Sequence, residues 1–223
     1  MLPIKDDLPA ARAPLLTVAL IAANAAAFLW QVLVEGPQLS VLRGGVIPYE
    51  LLTLRDVGPP DLVPPPFTLV TSMFLHGGFG HIAGNMLFLW IFGNNVEDAL
   101  GHLRFLAFYL ASGVAAGLAQ TFAALAGGDV LVPMVGASGA IAGVLAGYAV
   151  TFPGARVLTW IPPIWLVRLP AGLVIGVWFA WQLLGALGGQ AAGGVAFVAH
   201  IGGFVAGLAM ILAFRPRRRG RWA

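Results

Sequence analysis

Six separated apolar stretches constrain the fold of this chain more than any other feature of its sequence. Each is close to the roughly 20 residues that an α-helix needs to cross a lipid bilayer. They cover residues 15–34, 79–96, 103–126, 137–152, 164–187 and 195–214. Of the 223 residues, 59% are hydrophobic and only 9% are charged, whereas a soluble domain carries about 25% charged residues. We therefore predict an all-α polytopic membrane protein.

The positions of the charged residues predict how the helices are oriented. With the N-terminus inside, ten of the twelve lysines and arginines fall in inner segments, and only Arg43 and Arg55 fall outside. Cytoplasmic loops carry an excess of Lys and Arg, so we expect both termini to be cytoplasmic. The predicted division is a short cytoplasmic N-terminus at 1–14, a six-helix membrane domain at 15–214 and a basic cytoplasmic tail at 215–223. The arginines of that tail indicate topology, and we expect no nucleic-acid partner.

The first extracytoplasmic loop, residues 35–78, is long and rich in proline. Loops of this length are uncommon unless they are functional, and we expect this one to lie partly in the membrane interface. The chain has no cysteine, which excludes disulfides and thiolate metal sites. His76 and His81 are joined by no carboxylate or cysteine, so we expect no metal and no cofactor.

Four motifs place polar residues within the apolar stretches or at their ends. They are His76-x4-His81-x3-Asn85, Gly93-x3-Glu97, Gly136-Ala137-Ser138-Gly139 and Ala199-His200-x2-Gly203-x3-Gly207. The second, fourth and sixth predicted helices all run from outside to inside. His81, Asn85, Ser138 and His200 therefore lie at a similar depth, near the outer ends of these helices. Polar groups inside a bilayer are costly and are usually functional or paired, so this shared depth predicts one site.

The fourth predicted helix is short, which predicts the depth of Ser138. About sixteen residues at about 1.5 Å each give roughly 24 Å, less than a hydrocarbon core of about 30 Å. We therefore expect the serine to lie below the outer surface, in a pit that water can reach. Small residues that repeat every four positions let helices approach closely, which would bring Ser138 Oγ near the His200 ring. The two predicted contact stripes are Ser138, Ala142 and Ala146, and Ala199, Gly203 and Gly207.

These residues permit nucleophilic catalysis. A serine hydroxyl is a weak nucleophile until a base removes its proton, and histidine, with an ordinary pKa of about 6.5, suits that task. No Asp or Glu lies at the same depth, so the residues predict a Ser138–His200 dyad. Asn85, His81 and the Ser138 amide are candidate oxyanion donors. Taken singly, each motif also fits helix packing or an interhelical hydrogen bond.

Together, in this order and on these helices, the motifs resemble the rhomboid intramembrane serine proteases. The resemblance covers the six-helix core and includes Trp90-x2-Gly93-x3-Glu97. It implies a six-helix bundle with Ser138 as nucleophile, His200 as general base, and Asn85 and His81 beside the Ser138 amide in the oxyanion hole. It implies structural roles near the site for His76, Gly136, Gly139, Gly203, Gly207 and Glu97. It also implies that transmembrane proteins are the substrates and that the fifth helix and the fifth outer loop gate lateral entry.

Two positions depart from the family pattern. Many members have Trp-Arg where this chain has Phe67-Thr68, and an aromatic residue that packs on the catalytic histidine where this chain has Ala142. Asn24 and Gln182 have no motif support, and we assign them to packing. A bacterial cytoplasmic membrane is the expected location, because eleven arginines and one lysine suggest a GC-rich genome.

Two other functions compete with proteolysis. A catalytically inactive rhomboid-like protein would bind or escort membrane proteins, but such relatives usually lose the serine or the histidine. A transporter or channel would need polar residues through the whole membrane depth, or inverted repeats. The polar residues of this chain lie at one depth of the membrane, which favours a single binding or catalytic site over a transport path.

Overall fold

The computed structural model describes residues 1–127, 129–163, 165–188 and 195–214. The predicted basic tail and most of the loop before the sixth predicted helix lie outside the described residues. The described part is mostly helical. Three of its helical spans are long and apolar enough to cross a membrane, namely Leu15–Glu35, His102–Gly127 and Phe197–Phe214. Two apolar helices are shorter, Ser138–Thr151 and Ala171–Leu187. The protein is thus a helical membrane protein, and the count of six crossings stays a prediction.

Ten α-helices occur in the described part of the chain. They are α1 (Leu15–Trp30), α2 (Pro37–Gly44), α3 (Pro48–Thr53), α4 (Pro65–Thr71), α5 (Phe79–Phe88), α6 (Asn94–Leu100), α7 (His102–Gly127), α8 (Ser138–Thr151), α9 (Ala171–Leu187) and α10 (Phe197–Phe214). A π-helical segment, Gln31–Glu35, extends α1, and another, Leu89–Gly93, joins α5 to α6. Three short helices, α2 to α4, lie in the long first loop. Each begins with proline in its first turn, where the missing N–H leaves no intrahelical hydrogen bond unmade.

A three-stranded antiparallel sheet corrects the all-α prediction. Its strands are β1 (Leu2–Asp6), β2 (Arg156–Ile161) and β3 (Trp165–Pro170), in the order β1-β2-β3. The prediction that the fifth helix starts at residue 164 was therefore wrong, because α9 begins at Ala171. In β2, Val157 and Thr159 are buried while their neighbours are more exposed, which is the two-residue period of a strand. Hydrophobicity alone cannot distinguish a short apolar strand from the first turns of the long apolar helix that follows it.

Helix α8 lies at the centre of the bundle, between α7 and α10. Every residue from Gly139 to Tyr148 is buried, and small side chains allow the neighbouring helices to come very close. A Cβ placed on Gly203 of α10 would lie 2.0 Å from the Gly139 carbonyl oxygen, and one on Gly207 would lie 2.4 Å from Gly143 Cα. The contact stripe predicted on α10 is therefore present. On α8, Gly139 and Gly143 form the contact with these glycines, and the predicted stripe of Ser138, Ala142 and Ala146 did not include them.

Glu97 joins the ends of α6 and α1 that lie away from the serine. Its carboxylate accepts hydrogen bonds from the Leu16 N–H at 2.9 Å and from the Thr17 N–H and Oγ1, both at 2.7 Å. His102 Nδ1 lies 2.5 Å from the same carboxylate. The Leu16 and Thr17 amides belong to the first turn of α1, where backbone N–H groups have no partner within the helix. The carboxylate satisfies them and holds α6 against α1.

Asp6 joins the sheet to the helices. Its carboxylate accepts hydrogen bonds from Tyr148 Oη of α8 and Asn95 Nδ2 of α6, both at 2.7 Å. Burial raises the pKa of Asp6 from 3.8 to about 6, because an apolar environment disfavours the charged form. The folded protein thus holds this proton more tightly than the unfolded chain. The resulting stabilisation is complete below about pH 4 and is lost as the pH rises through about 6.

Candidate active site

The turn before α8 places Ser138 at the first residue of the helix. Gly136 has a φ of +124°, a conformation that side-chain-bearing residues rarely adopt, and its N–H donates to the Ser72 carbonyl at 2.8 Å. Ala137 then turns into the helical region. Because Ser138 starts a helix, its N–H has no partner four residues back within α8. The sequence Gly-Ala-Ser-Gly therefore leaves a hydroxyl and backbone N–H groups at one helix end.

The structure brings Ser138 and His200 into direct contact. His200 Nε2 lies 2.7 Å from Ser138 Oγ, which is the usual distance of a strong hydrogen bond. His200 is 9% exposed and lies on α10, directly beside the glycine contact between α10 and α8. The close approach of the two backbones at Gly203 and Gly139 accounts for this short distance between side chains on different helices.

Two residues of α9 hold the histidine ring, and sequence reasoning missed both. Gln182 Oε1 lies 2.7 Å from His200 Nδ1, so the assignment of Gln182 to packing alone was wrong. The Trp178 ring lies 5.7 Å from the His200 ring, with an angle of 37° between their planes. Trp178 supplies the aromatic contact that Ala142 cannot. Their spacing of four residues places both on one face of a helix, a signal that the sequence does contain.

His81, Asn85 and Gly136 form the opposite side of the site. The Gly77 N–H donates to His81 Nδ1 at 3.3 Å, which leaves the proton of a neutral ring on Nε2. A Cβ on Gly136 would lie 2.7 Å from that Nε2 and 3.6 Å from Asn85 Nδ2. Asn85 Nδ2 is buried and has no hydrogen-bond partner among the described residues. Two donor groups thus converge on the turn that carries Ser138.

His76 supports this side from the first loop. Its N–H donates to Gln31 Oε1 at 2.9 Å, and its carbonyl accepts from Gln31 Nε2 at 3.3 Å. Its ring packs edge-on against the His81 ring, with 5.1 Å between centroids. Burial lowers the pKa of His76 to about 4, and His81 adds to this effect. The ring is therefore neutral at physiological pH and acts as a packing group beneath His81.

Arg43 anchors the first loop where the family's Trp-Arg pair is missing. Its guanidinium pairs with Glu35 and donates to the Pro60 carbonyl at 2.8 Å through Nε. At the departing positions, Thr68 is buried and donates to the Pro65 carbonyl at 2.6 Å, while Phe67 is exposed. Thr71 of α4 donates to the Gly44 carbonyl of α2 at 2.8 Å, so these two helices are joined, and Arg43 ties α2 to the rest of the loop.

A cavity of about 700 Å³ opens onto these groups. Its walls include His81, Asn85, Gly136, Ser138, Trp178 and His200. A volume of this size admits a short extended peptide segment, since ligand pockets measure about 300–1,000 Å³. The cavity therefore combines a paired serine and histidine with unpaired donors, as acyl transfer requires.

The comparisons with known proteins agree with this arrangement. The Rhomboid domain family model matches residues 65–217, more than half of the chain. This chain belongs to the rhomboid family. The match contains all four polar motifs of this rhomboid, including Ser138 and His200.

Three relatives illustrate the similarity. Rhomboid protein 1, mitochondrial, of Saccharomyces cerevisiae is 31% identical over 153 residues, covering 66% of this chain and 42% of that protein. Presenilin-associated rhomboid-like protein, mitochondrial, of Homo sapiens is 36% identical over 88 residues, covering 40% and 23%. Rhomboid protease GluP of Bacillus subtilis is 42% identical over 78 residues, covering 34% and 14%. This rhomboid thus spans less than half the length of the relatives that it matches.

Proposed function

We propose that this rhomboid is an intramembrane serine endopeptidase. The observation that carries the proposal is the 2.7 Å contact between Ser138 Oγ and His200 Nε2 at the wall of a cavity. The family includes a relative named as a protease, GluP. A serine that only packed between helices would need neither a histidine partner nor an adjacent pair of donors.

The proposed reaction is acyl transfer in two halves. His200 Nε2 takes the hydroxyl proton as Ser138 Oγ attacks the scissile carbonyl carbon, and the negative charge moves to the carbonyl oxygen. The resulting tetrahedral intermediate expels the amine, which leaves with the proton from His200. Water, deprotonated by the same histidine, then attacks the acyl carbon; the bond from that carbon to Ser138 Oγ breaks as His200 returns the proton to Oγ, and the carboxylic acid product leaves. General base catalysis of this kind is typically worth about a hundred- to ten-thousandfold in rate.

The oxyanion is stabilised by Asn85 Nδ2, His81 Nε2–H and the Ser138 N–H. All three are donors beside the Gly136 turn, and Asn85 Nδ2 makes no other hydrogen bond to the described residues. A buried donor without a partner costs free energy in the resting protein. The cost is recovered when an oxyanion forms, which is how preorganised donors favour the transition state over the substrate.

The proposed substrates are transmembrane segments of other proteins. A peptide bond within a stable helix keeps its carbonyl in the helical ladder, so attack requires local unwinding. Segments with small residues and weak helical propensity unwind most readily. We propose that α9 borders the path by which the segment reaches the cavity, since Trp181 and Leu184 are 67% and 64% exposed on its outer face.

The six-helix topology with both termini cytoplasmic belongs to the same proposal. The yeast and human relatives are mitochondrial by name and GluP is from a bacterium. The prediction of a bacterial cytoplasmic membrane thus rests on composition alone.

The test is cleavage of a transmembrane reporter by the purified protein in liposomes. We expect Ser138→Ala and His200→Ala each to lower the rate by more than about a thousandfold, as loss of a nucleophile or base does. Ser112→Ala is the matched control, because Ser112 is also buried on a helix, and its hydroxyl makes no hydrogen bond to the described residues. A fluorophosphonate probe should label Ser138, as identified by peptide mass spectrometry. Binding of the reporter without cleavage by the wild type would favour the inactive escort protein instead.

A further inference from the structure

We propose that Gln182 is a positioning residue that fixes the tautomer and the orientation of His200. The inference rests on the proposed function, since it concerns the base of the proposed dyad. It adds a third member, from α9, to a pair of residues contributed by α8 and α10. The sequence motifs and the comparisons give no role to this residue.

The hydrogen-bonding chemistry of the glutamine decides which ring nitrogen carries the proton. A side-chain amide oxygen only accepts hydrogen bonds, so the group that faces Gln182 Oε1 at 2.7 Å must be Nδ1–H. A neutral imidazole then has its lone pair on Nε2. That lone pair is the acceptor for the Ser138 hydroxyl, also at 2.7 Å. The other tautomer would oppose two acceptors at the glutamine, and its Nε2–H could donate to Ser138 Oγ but could not take the hydroxyl proton.

The orientation of the amide is itself fixed. Gln182 Nε2 donates to the Trp178 carbonyl, one turn earlier in α9, at 3.2 Å. A flipped amide would place the NH2 group against His200 Nδ1 and the oxygen against the Trp178 carbonyl. The second of these contacts is repulsive, so the assignment of Oε1 to the histidine side follows from the network.

Burial supports a specific role for Gln182. Four of the seventeen residues of α9 are buried, and Gln182, at 4% exposure, is the polar one among them. An unpaired amide in an apolar environment destabilises the folded protein, so a buried glutamine on such a helix needs a partner, and its partner is the histidine. Trp178 lies against the same ring. The two residues restrain the ring in angle and in tautomer, which are the two variables that a general base must have right.

The role is one of positioning, because Gln182 contacts neither Ser138 nor the expected substrate carbonyl. A neutral amide orients the imidazole without adding the charge of an aspartate. Loss of the acceptor should therefore lower the acylation rate while leaving substrate binding unchanged. We expect about a ten- to hundredfold loss, the kinetic equivalent of one good hydrogen bond.

The experiment compares the wild type with Gln182→Leu, which keeps the volume and removes the acceptor, and Gln182→Glu, which keeps an acceptor. Rates of Ser138 labelling by a fluorophosphonate and kcat and KM for the reporter are measured for each. We expect Gln182→Leu to lose kcat and labelling rate with KM unchanged, and Gln182→Glu to recover at least half of the logarithmic loss. Asn24→Leu is the matched control, because Asn24 is also a buried amide that donates to a carbonyl one turn earlier in its own helix, and this variant should label at the wild-type rate.

A spectroscopic measurement on the unmodified protein makes the inference independent of how the variants fold. Nitrogen NMR of histidine-labelled wild type at pH 8 should show His200 protonated at Nδ1, with the signal identified by its loss in His200→Ala. Protonation at Nε2, or equal labelling of the wild type and Gln182→Leu, would overturn the inference. Failure of the wild type to label at Ser138 would instead overturn the proposed function.

Discussion

The glycine contact between α10 and α8 makes the activity sensitive to a single methyl group. In Gly203→Ala, the new Cβ would lie 2.0 Å from the Gly139 carbonyl oxygen and 2.8 Å from its carbonyl carbon. Real Cβ atoms essentially never approach below 3.0 Å, and these neighbours are backbone atoms that cannot rotate away. The two helices must therefore separate by about 1 Å, at a cost of about 1–3 kcal/mol in stability for an overpacked site.

The same separation acts on the proposed dyad. His200 lies one turn before Gly203 on α10, and Ser138 directly precedes Gly139 on α8. A shift of about 1 Å would lengthen the 2.7 Å contact between Nε2 and Oγ beyond the range of a hydrogen bond. A displacement of this size costs about a hundredfold in rate. We therefore expect Gly203→Ala to fold, with a lowered melting temperature, and to lose about a hundredfold in labelling and cleavage.

The assay is fluorophosphonate labelling of Ser138 in detergent, together with the thermal unfolding temperature of the same sample. Gly176→Ala is the matched control, since a Cβ at Gly176 has no neighbour within 4 Å, and both measurements should match the wild type. A Gly203→Ala protein that labels at the wild-type rate would refute the argument, because it would show that the backbone contact does not set the distance between Ser138 and His200.

Three other predictions follow from the site and the sheet. Asn85→Ala should slow cleavage by about a hundred- to a thousandfold with reporter binding unchanged; an unchanged turnover number would remove Asn85 from the oxyanion hole. Gly136→Ala should slow labelling to a similar degree, because its Cβ would lie 2.7 Å from His81 Nε2 in a backbone conformation with φ of +124°; wild-type labelling would contradict this. Because the Asp6 pKa is raised to about 6, the unfolding free energy of the wild type should fall by about 2 kcal/mol between pH 4 and pH 8. In Asp6→Asn this fall should be absent. Denaturant unfolding at the two pH values measures this, and an equal pH dependence in both proteins would show that Asp6 does not titrate as described.

The strands between residues 156 and 170 could not be predicted from the sequence. They follow an apolar helix and precede another, and the predicted fifth helix took in the part of this segment from residue 164 onward. Arg156–Ile161 is a strand because it pairs with Leu2–Asp6, a segment about 150 residues earlier in the chain, and Trp165–Pro170 pairs with the other edge of Arg156–Ile161. Strand pairing is a long-range interaction, and single-sequence periodicity over a six-residue strand is too short to reveal it.

The amino-acid sequence by itself determined that the chain is a helical membrane protein and which polar residues lie at one depth. It could do so because hydrophobicity and helical period are local properties, and because the order of the motifs resembles one family. Only the tertiary structure decided what supports the Gly136–Gly139 turn and the His200 ring. Gln182 and Trp178 reach His200 across a helix interface, and Gly139 lies against Gly203 of α10. Such contacts depend on how helices are rotated about their axes, and that rotation is set by the packing of the whole bundle.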